Sequence, residues 1–135
     1  MRRWTTNICT DFYYYTGVYN FYREAYPKSY PAYKPLALLF PTGDMKLGLT
    51  ELNNAATNSV VLRAESYFLL ALIYLNFENK YLQALYYTKS LHEIYSDNVL
   101  YIALYIKNLL LMKHYDESEK LIVASLTENK YLQAQ

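Results

Sequence analysis

What most constrains this chain is where its helix breakers fall. Of 135 residues only 3 are Gly and 4 are Pro, and the prolines keep to one stretch: Pro27, Pro31, Pro35 and Pro41. Proline removes a backbone donor and clashes with the preceding turn, at about 3 kcal/mol inside a helix. The chain outside that stretch therefore escapes the strongest breaker. Hydrophobic residues at 53% and charged residues at 19% supply enough apolar surface to order a core, which argues against disorder. The length is that of one domain. The expectation is an all-α fold.

Apolar spacing divides the chain into helices. The first reads over residues 10–25, with Tyr15, Tyr19, Tyr22 and Tyr26 on one face. Gly17 lies inside it, which costs about 1 kcal/mol relative to Ala and is tolerated where a neighbouring backbone comes close. Residues 27–41 break the helix, yet they are too apolar for a solvated linker and are expected to pack against the helices. Thr42-Gly43-Asp44 offers the next start, with Leu47, Leu52 and Ala55 on one side to about residue 57. Asn58 or Ser59 can cap a helix reaching residue 77, apolar nearly all round and so expected to be buried on every side. A turn at Glu78-Asn79-Lys80 precedes a helix over 81–95. Ser96-Asp97-Asn98 stops it before a helix over 99–112. Lys113-His114 turns into a helix over 115–126, with Asp116, Glu117 and Glu119 suited to its positive end. Glu128-Asn129 reads as the opening of one more segment. Helices of this length joined by short turns are antiparallel neighbours. The 18 tyrosines, apolar bodies with polar tips, are expected mostly to fill helix–helix interfaces.

A period of 34 residues relates Tyr81 to Tyr115, Ala84 to Ser118 and Leu75 to Leu109. Thirty-four is about the length of the tetratricopeptide repeat, whose first helix carries Trp-x2-Leu-Gly-x2-Tyr and whose second carries Ala-x3-Phe. Tyr67, Leu70, Ala71 and Tyr74 resemble the first-helix pattern, with Ala as the small residue. Ala84 falls one residue late, so the turn over 76–80 holds one extra residue. Residues 113–118, Lys-His-Tyr-Asp-Glu-Ser, resemble a second helix, whereas Ile106 sits where that repeat's first helix wants a small residue. Tyr95-Ser96-Asp97-Asn98 is similar to the closing Tyr-Pro-x-Asn without its proline. Gly43-Asp44, Gly48-Leu49 and Leu52 resemble a Gly-Asp…Gly-Leu…Leu string of a bacterial subset of tetratricopeptide proteins. Similar strings occur in eukaryotic relatives associated with mitochondria and with lipid or inclusion clearance.

The resemblance implies one domain of about 5–6 helices, antiparallel hairpins stacked as a right-handed superhelix. A degenerate repeat would span 10–57, with Thr16-Gly17 and Gly48 at its small-residue positions and an insertion at 27–41. Repeats at 59–96 and 98–126 would follow, then the start of another at 128–135. A chain that stops there reads as a fragment or truncated frame of a longer array. One feature stands apart: Glu-Asn-Lys-Tyr-Leu-Gln-Ala occurs identically at 78–84 and 128–134, a turn and helix start used twice.

In the family, the first helix of each pair lines a concave groove that binds a protein or peptide. The implied groove residues are Tyr14, Val18 and Phe21, then Phe68, Leu72 and Asn76, then Ala103, Lys107 and Leu110. Phe68 and Leu72 occupy positions where some members clamp acidic peptides, so an apolar ligand or internal packing suits them better. The insertion is expected to lie across this groove and cover it. The functional expectation is a non-catalytic interaction scaffold, with a homo-oligomer as one option. The alternatives are a structural piece of a larger, membrane-associated repeat protein and an RNA-binding repeat of the pentatricopeptide kind.

Other classes find little support. Cys9, His92 and His114 are the only parts for nucleophilic chemistry and no local motif joins them, so neither catalysis nor a cofactor is expected. No paired Cys ligands, His-Glu-x-x-His or phosphate-binding Gly loop occurs, which leaves no metal site to name. Net charge is +1 from scattered charges, with Arg2-Arg3 the one basic pair, at an end expected to fray. That disfavours nucleic acid, whose binding needs several phosphates neutralised together. No secretory signal is visible, and the longest uncharged apolar run, 66–77, is short of the roughly 20 residues a bilayer span needs. A cytoplasmic location is favoured.

Overall fold

A computed structural model describes residues 2–133, with side chains described for 9–129 and 133. Among the described residues every regular element is helical and no strand occurs. The order is α1 (Arg2–Ser29), a 3-10 turn (Pro31–Tyr33), α2 (Lys34–Ala37), α3 (Met45–Asn58), α4 (Arg63–Asn76), α5 (Tyr81–Ile94), α6 (Val99–Leu111) and α7 (Tyr115–Gln133). The fold is all-α, as the scarcity of breakers requires. It divides into two compact units, Met1–Ile73 and Tyr74–Gln135, and the division falls inside α4. From Ser66 to Leu75 no residue of α4 is exposed, in keeping with its apolar composition.

Two helices outrun their sequence limits. The first begins at Arg2, in place of a frayed end, and continues through Pro27. A proline so near the last residue removes one intrahelical bond and leaves the turns before it intact. The last helix runs unbroken through Glu128-Asn129 to Gln133, so no turn opens there. The duplicated string is therefore a turn and helix start at 78–84, yet helix interior over 128–133.

In the first unit α1 and α3 are antiparallel, because their contacts descend along one as they rise along the other. Lys28 Nζ reaches Met45 Sδ, Asn20 donates to Glu51 and Ser59 donates to the Asp11 carboxylate. Two glycines set their separation. A Cβ placed on Gly48 would lie 2.6 Å from the Phe21 amide nitrogen, and one on Gly17 would lie 2.9 Å from Leu52 Cγ. The helices thus meet backbone to backbone, which only glycine permits. Around that crossing Phe21, Ala25, Leu52 and Ala55 are buried. Full burial of the two large side chains contributes about 1.5–3 kcal/mol each. Asp44 starts α3 by accepting from the Lys46 and Leu47 amides at 2.9 and 3.2 Å, satisfying donors that a helix N-terminus leaves open. Ser59 follows its end and accepts from the Leu62 amide at 2.9 Å, so α4 starts at Arg63, beyond the expected residue 59.

In the second unit α5 and α6 are antiparallel by the same test. Tyr95 meets Tyr101, His92 meets Tyr105, and Thr88 donates to Asn108. Asn98 caps α6 through the Leu100 and Tyr101 amides. Asn108 is fully buried, and both ends of its amide are used. Its Oδ1 accepts from Thr88 Oγ1 at 3.0 Å, and its Nδ2 donates to the Tyr81 carbonyl at 3.0 Å. Ala84, Leu91, Leu104 and Leu109 are buried nearby. After three residues α7 returns to pack on α6.

The 34-residue period has structural counterparts within this unit. Tyr81 and Tyr115 are each the first residue of a helix. Two positions earlier, Asn79 and Lys113 adopt left-handed backbone at φ 53° and 63°. Leu75 and Leu109 are buried, as are Ala84 and Ser118. At the later turn the His114 amide donates to the Leu109 carbonyl and the Lys113 amide to Leu110, the paired bonds that close a helix on a left-handed residue. At the earlier turn the Lys80 amide reaches back to the Tyr74 carbonyl, one residue further, so α4 closes through a wider turn.

Fewer tyrosines are internal than expected. Tyr13, Tyr15, Tyr19, Tyr26, Tyr30, Tyr33, Tyr86, Tyr95 and Tyr115 are exposed, and among the described side chains only Tyr105 is buried. Each phenol hydroxyl needs a partner or water, and helices meeting at Gly, Ala and Ser leave little room for a ring.

Candidate partner-binding surface

The nine groove positions implied by the family resemblance fall into different environments. In the first unit Phe21 is 0% exposed, because the Gly48 backbone lies against its own. Its ring belongs to the α1–α3 core and cannot touch a partner. Tyr14 is half-buried, and burial, then the nearby Glu65 carboxylate, raises its phenol pKa above the usual value. Phe68 and Leu72 are also half-buried.

Val18 lines a cavity of about 370 Å³ together with Tyr22, Tyr26, Tyr33, Leu36 and Phe40. This space lies between α1 and the strap of residues 30–43, and the strap is held at both ends. The Tyr26, Tyr30 and Tyr33 rings contact one another with centroids 5.5–6.3 Å apart. At the far end Tyr19 donates to the Pro41 carbonyl at 2.6 Å, Arg23 donates to the Phe40 carbonyl, and Glu24 accepts from the Gly43 amide. Burial, with smaller contributions from Tyr26 and Tyr14, pushes the Tyr22 phenol up to about 12. Of the three α1 groove positions, Val18 is the one beneath the strap. The strap's apolar residues are not wholly packed away: Leu38 is 84% and Leu39 76% exposed. Spacing could not show this cavity, since it depends on how the chain returns from Pro31 to Gly43.

In the second unit Ala103, Lys107 and Leu110 are exposed on successive turns of one α6 face. Asn76 is exposed as well, and its Oδ1 accepts from Lys107 Nζ at 3.2 Å. These four residues form a strip of mixed chemistry: a methyl, an isobutyl group, an amide and an ammonium with two further donors.

Reactive side chains are elsewhere. Cys9 is exposed. The His92 ring lies against Tyr105 at 5.3 Å, and its Nδ1 is buried without a protein hydrogen-bond partner. His114 belongs to the turn before α7. Among the described residues no three His, Cys, Asp or Glu side chains are placed to hold a metal ion, and no helix is long and apolar enough to cross a membrane. No family model matches the chain, and neither a curated protein nor a solved structure matches it.

Proposed function

We propose that this chain is a helical-repeat module of the tetratricopeptide type that binds a protein partner and carries out no catalysis. The observation supporting this reading is the 34-residue recurrence of one unit: a left-handed turn residue, a tyrosine opening the helix, and a small buried residue three positions on. Arrays built from such units leave one face of each first helix for a ligand. In this reading α6 is a first helix, and its strip of Ala103, Lys107 and Leu110, with Asn76, contacts the partner. Lys107, with one donor committed to Asn76, offers the others to a carboxylate or carbonyl, while Leu110 and Ala103 receive an apolar side chain.

A benzophenone amino acid at Ala103 or Leu110 tests this in cells of the source organism. A discrete crosslinked protein is expected from both positions, lost when Lys107→Glu is added. Exposed Lys89 of α5 and Glu119 of α7 serve as comparison sites. Equal crosslinking from those two positions, or capture of RNA in place of protein, would overturn the reading.

A further inference from the structure

The end of the strap is the most exposed apolar feature of the first unit. Leu38 and Leu39 stand 84% and 76% exposed, with Leu36 and Phe40 at 53% beside them. Contiguous apolar exposure of this kind marks an interaction site, and the surrounding chemistry narrows the occupant. We propose that residues 36–41 form a tip that enters the interface of an anionic phospholipid bilayer.

Amide donors of the tip are already paired within the strap. Hydrocarbon penalises every unpaired amide, and here the Leu38, Leu39 and Phe40 amides donate to the carbonyls of Lys34, Leu36 and Ala37. Pro35 and Pro41, at the two ends, carry no amide hydrogen. The Phe40 and Pro41 carbonyls accept from Arg23 and Tyr19 on α1, which also fixes the tip on a rigid helix.

Charge points the same way. From Tyr26 to Gly43 the sequence holds Lys28 and Lys34 and no acid, and both lysines are exposed. The acids on either side are engaged: Glu24 pairs with Arg23 at 3.2 Å, and Asp44 caps α3. Lysine near an anionic leaflet strengthens binding roughly fivefold per residue. Tyr26, Tyr30 and Tyr33, exposed and in ring contact at the base of the strap, are the residue type that settles at the headgroup level.

Vesicle flotation of the full chain tests the proposal, using phosphatidylcholine liposomes with and without phosphatidylserine. The chain should float with the anionic liposomes only. Leu38→Ser with Leu39→Ser should weaken flotation by about tenfold or more, with an unchanged circular-dichroism melt, because both side chains already face solvent. Lys28→Gln with Lys34→Gln should weaken it by about 30-fold. Sedimentation equilibrium of the same proteins checks for self-association. The idea is overturned if the chain does not float, or if the leucine variant floats as well as the parent. A concentration-dependent dimer abolished by the leucine changes, without flotation, would overturn it too and assign the tip to a second copy.

Discussion

Replacing Gly48 by alanine sets two effects of opposite sign against each other. Helix propensity alone favours the change by about 1 kcal/mol, since glycine is the poorer helix former. The crossing with α1 opposes it. The new Cβ would lie 2.6 Å from the Phe21 nitrogen, 2.8 Å from the Gly17 carbonyl oxygen and 3.0 Å from Phe21 Cα. All three atoms are main chain, so no rotamer relieves the contact. Carbon prefers separations of about 3.5 Å or more, so α1 and α3 must part by roughly 1 Å, and a gap of that size forfeits about a quarter to a half of each dispersion contact. Applied to Phe21 and Leu52, each worth about 1.5–3 kcal/mol when buried, the loss is about 1–3 kcal/mol. The rigidity of the contact places it at the upper end. Net destabilisation of about 2 kcal/mol is expected after the propensity gain. Gly17→Ala should lose less, because its contacts are wider, 2.9 Å to Leu52 Cγ and 3.0 Å to the Gly48 oxygen and the Leu52 nitrogen. Urea unfolding followed by circular dichroism measures both variants. A Gly48→Ala protein as stable as the parent, or Gly17→Ala the worse of the two, would refute the backbone-contact account.

Asn108→Leu removes two buried hydrogen bonds, to the Thr88 hydroxyl and to the Tyr81 carbonyl, which should cost about 1–3 kcal/mol. Adding Thr88→Val should recover part of it, so additive losses in a double-mutant cycle would disprove the coupling. Lys113→Gly relieves a left-handed residue and should stabilise by about 0.5–1 kcal/mol, while Asn79→Gly should gain less because asparagine tolerates that backbone. Both are read from urea midpoints. Raising pH should weaken the fold through Tyr22. A free tyrosine phenol titrates at about 10 and that of Tyr22 is pushed up to about 12 in the fold, so the folded chain holds the proton more tightly. The contribution is complete below pH 10 and declines between the two values. Tyr22→Phe should flatten that part of a stability–pH profile, and an unaltered profile would count against the burial assigned to Tyr22.

The fold class was legible because it depends on local properties: few breakers, regular apolar spacing, and Asp44 and Asn98 as caps. The turn before α5 was legible from Glu78-Asn79-Lys80, whereas the offset of Ala84 was read only against the tetratricopeptide motif, since Ala84 and Ser118 keep the 34-residue spacing. The purpose of Gly17 was legible in kind, as a close approach, while its partner Gly48 had been assigned only a place in a family pattern. Phe21 shows where such reasoning stops. Its register matched an open groove, but the long-range α1–α3 crossing buries it, and no local signal distinguishes the two. The strap failed in the other direction. Its apolar content read as packing, whereas only part of it packs, because the return from Pro31 to Gly43 leaves Leu38 and Leu39 at the apex. All four groove positions in the second unit are exposed, Ala103, Lys107 and Leu110 on one face of α6 and Asn76 at the end of α4.

Seven identical letters with two outcomes carry a wider consequence. At 78–84 the string bends at Asn79 and then seals Ala84 completely; over 128–133 the same letters extend a helix already under way. Neither outcome is written in the heptapeptide, whose intrinsic leaning must be slight enough for its surroundings to choose. Transplanting it into another protein would transfer no shape at all, and the grammar of this chain resides in what each segment finds to lean on.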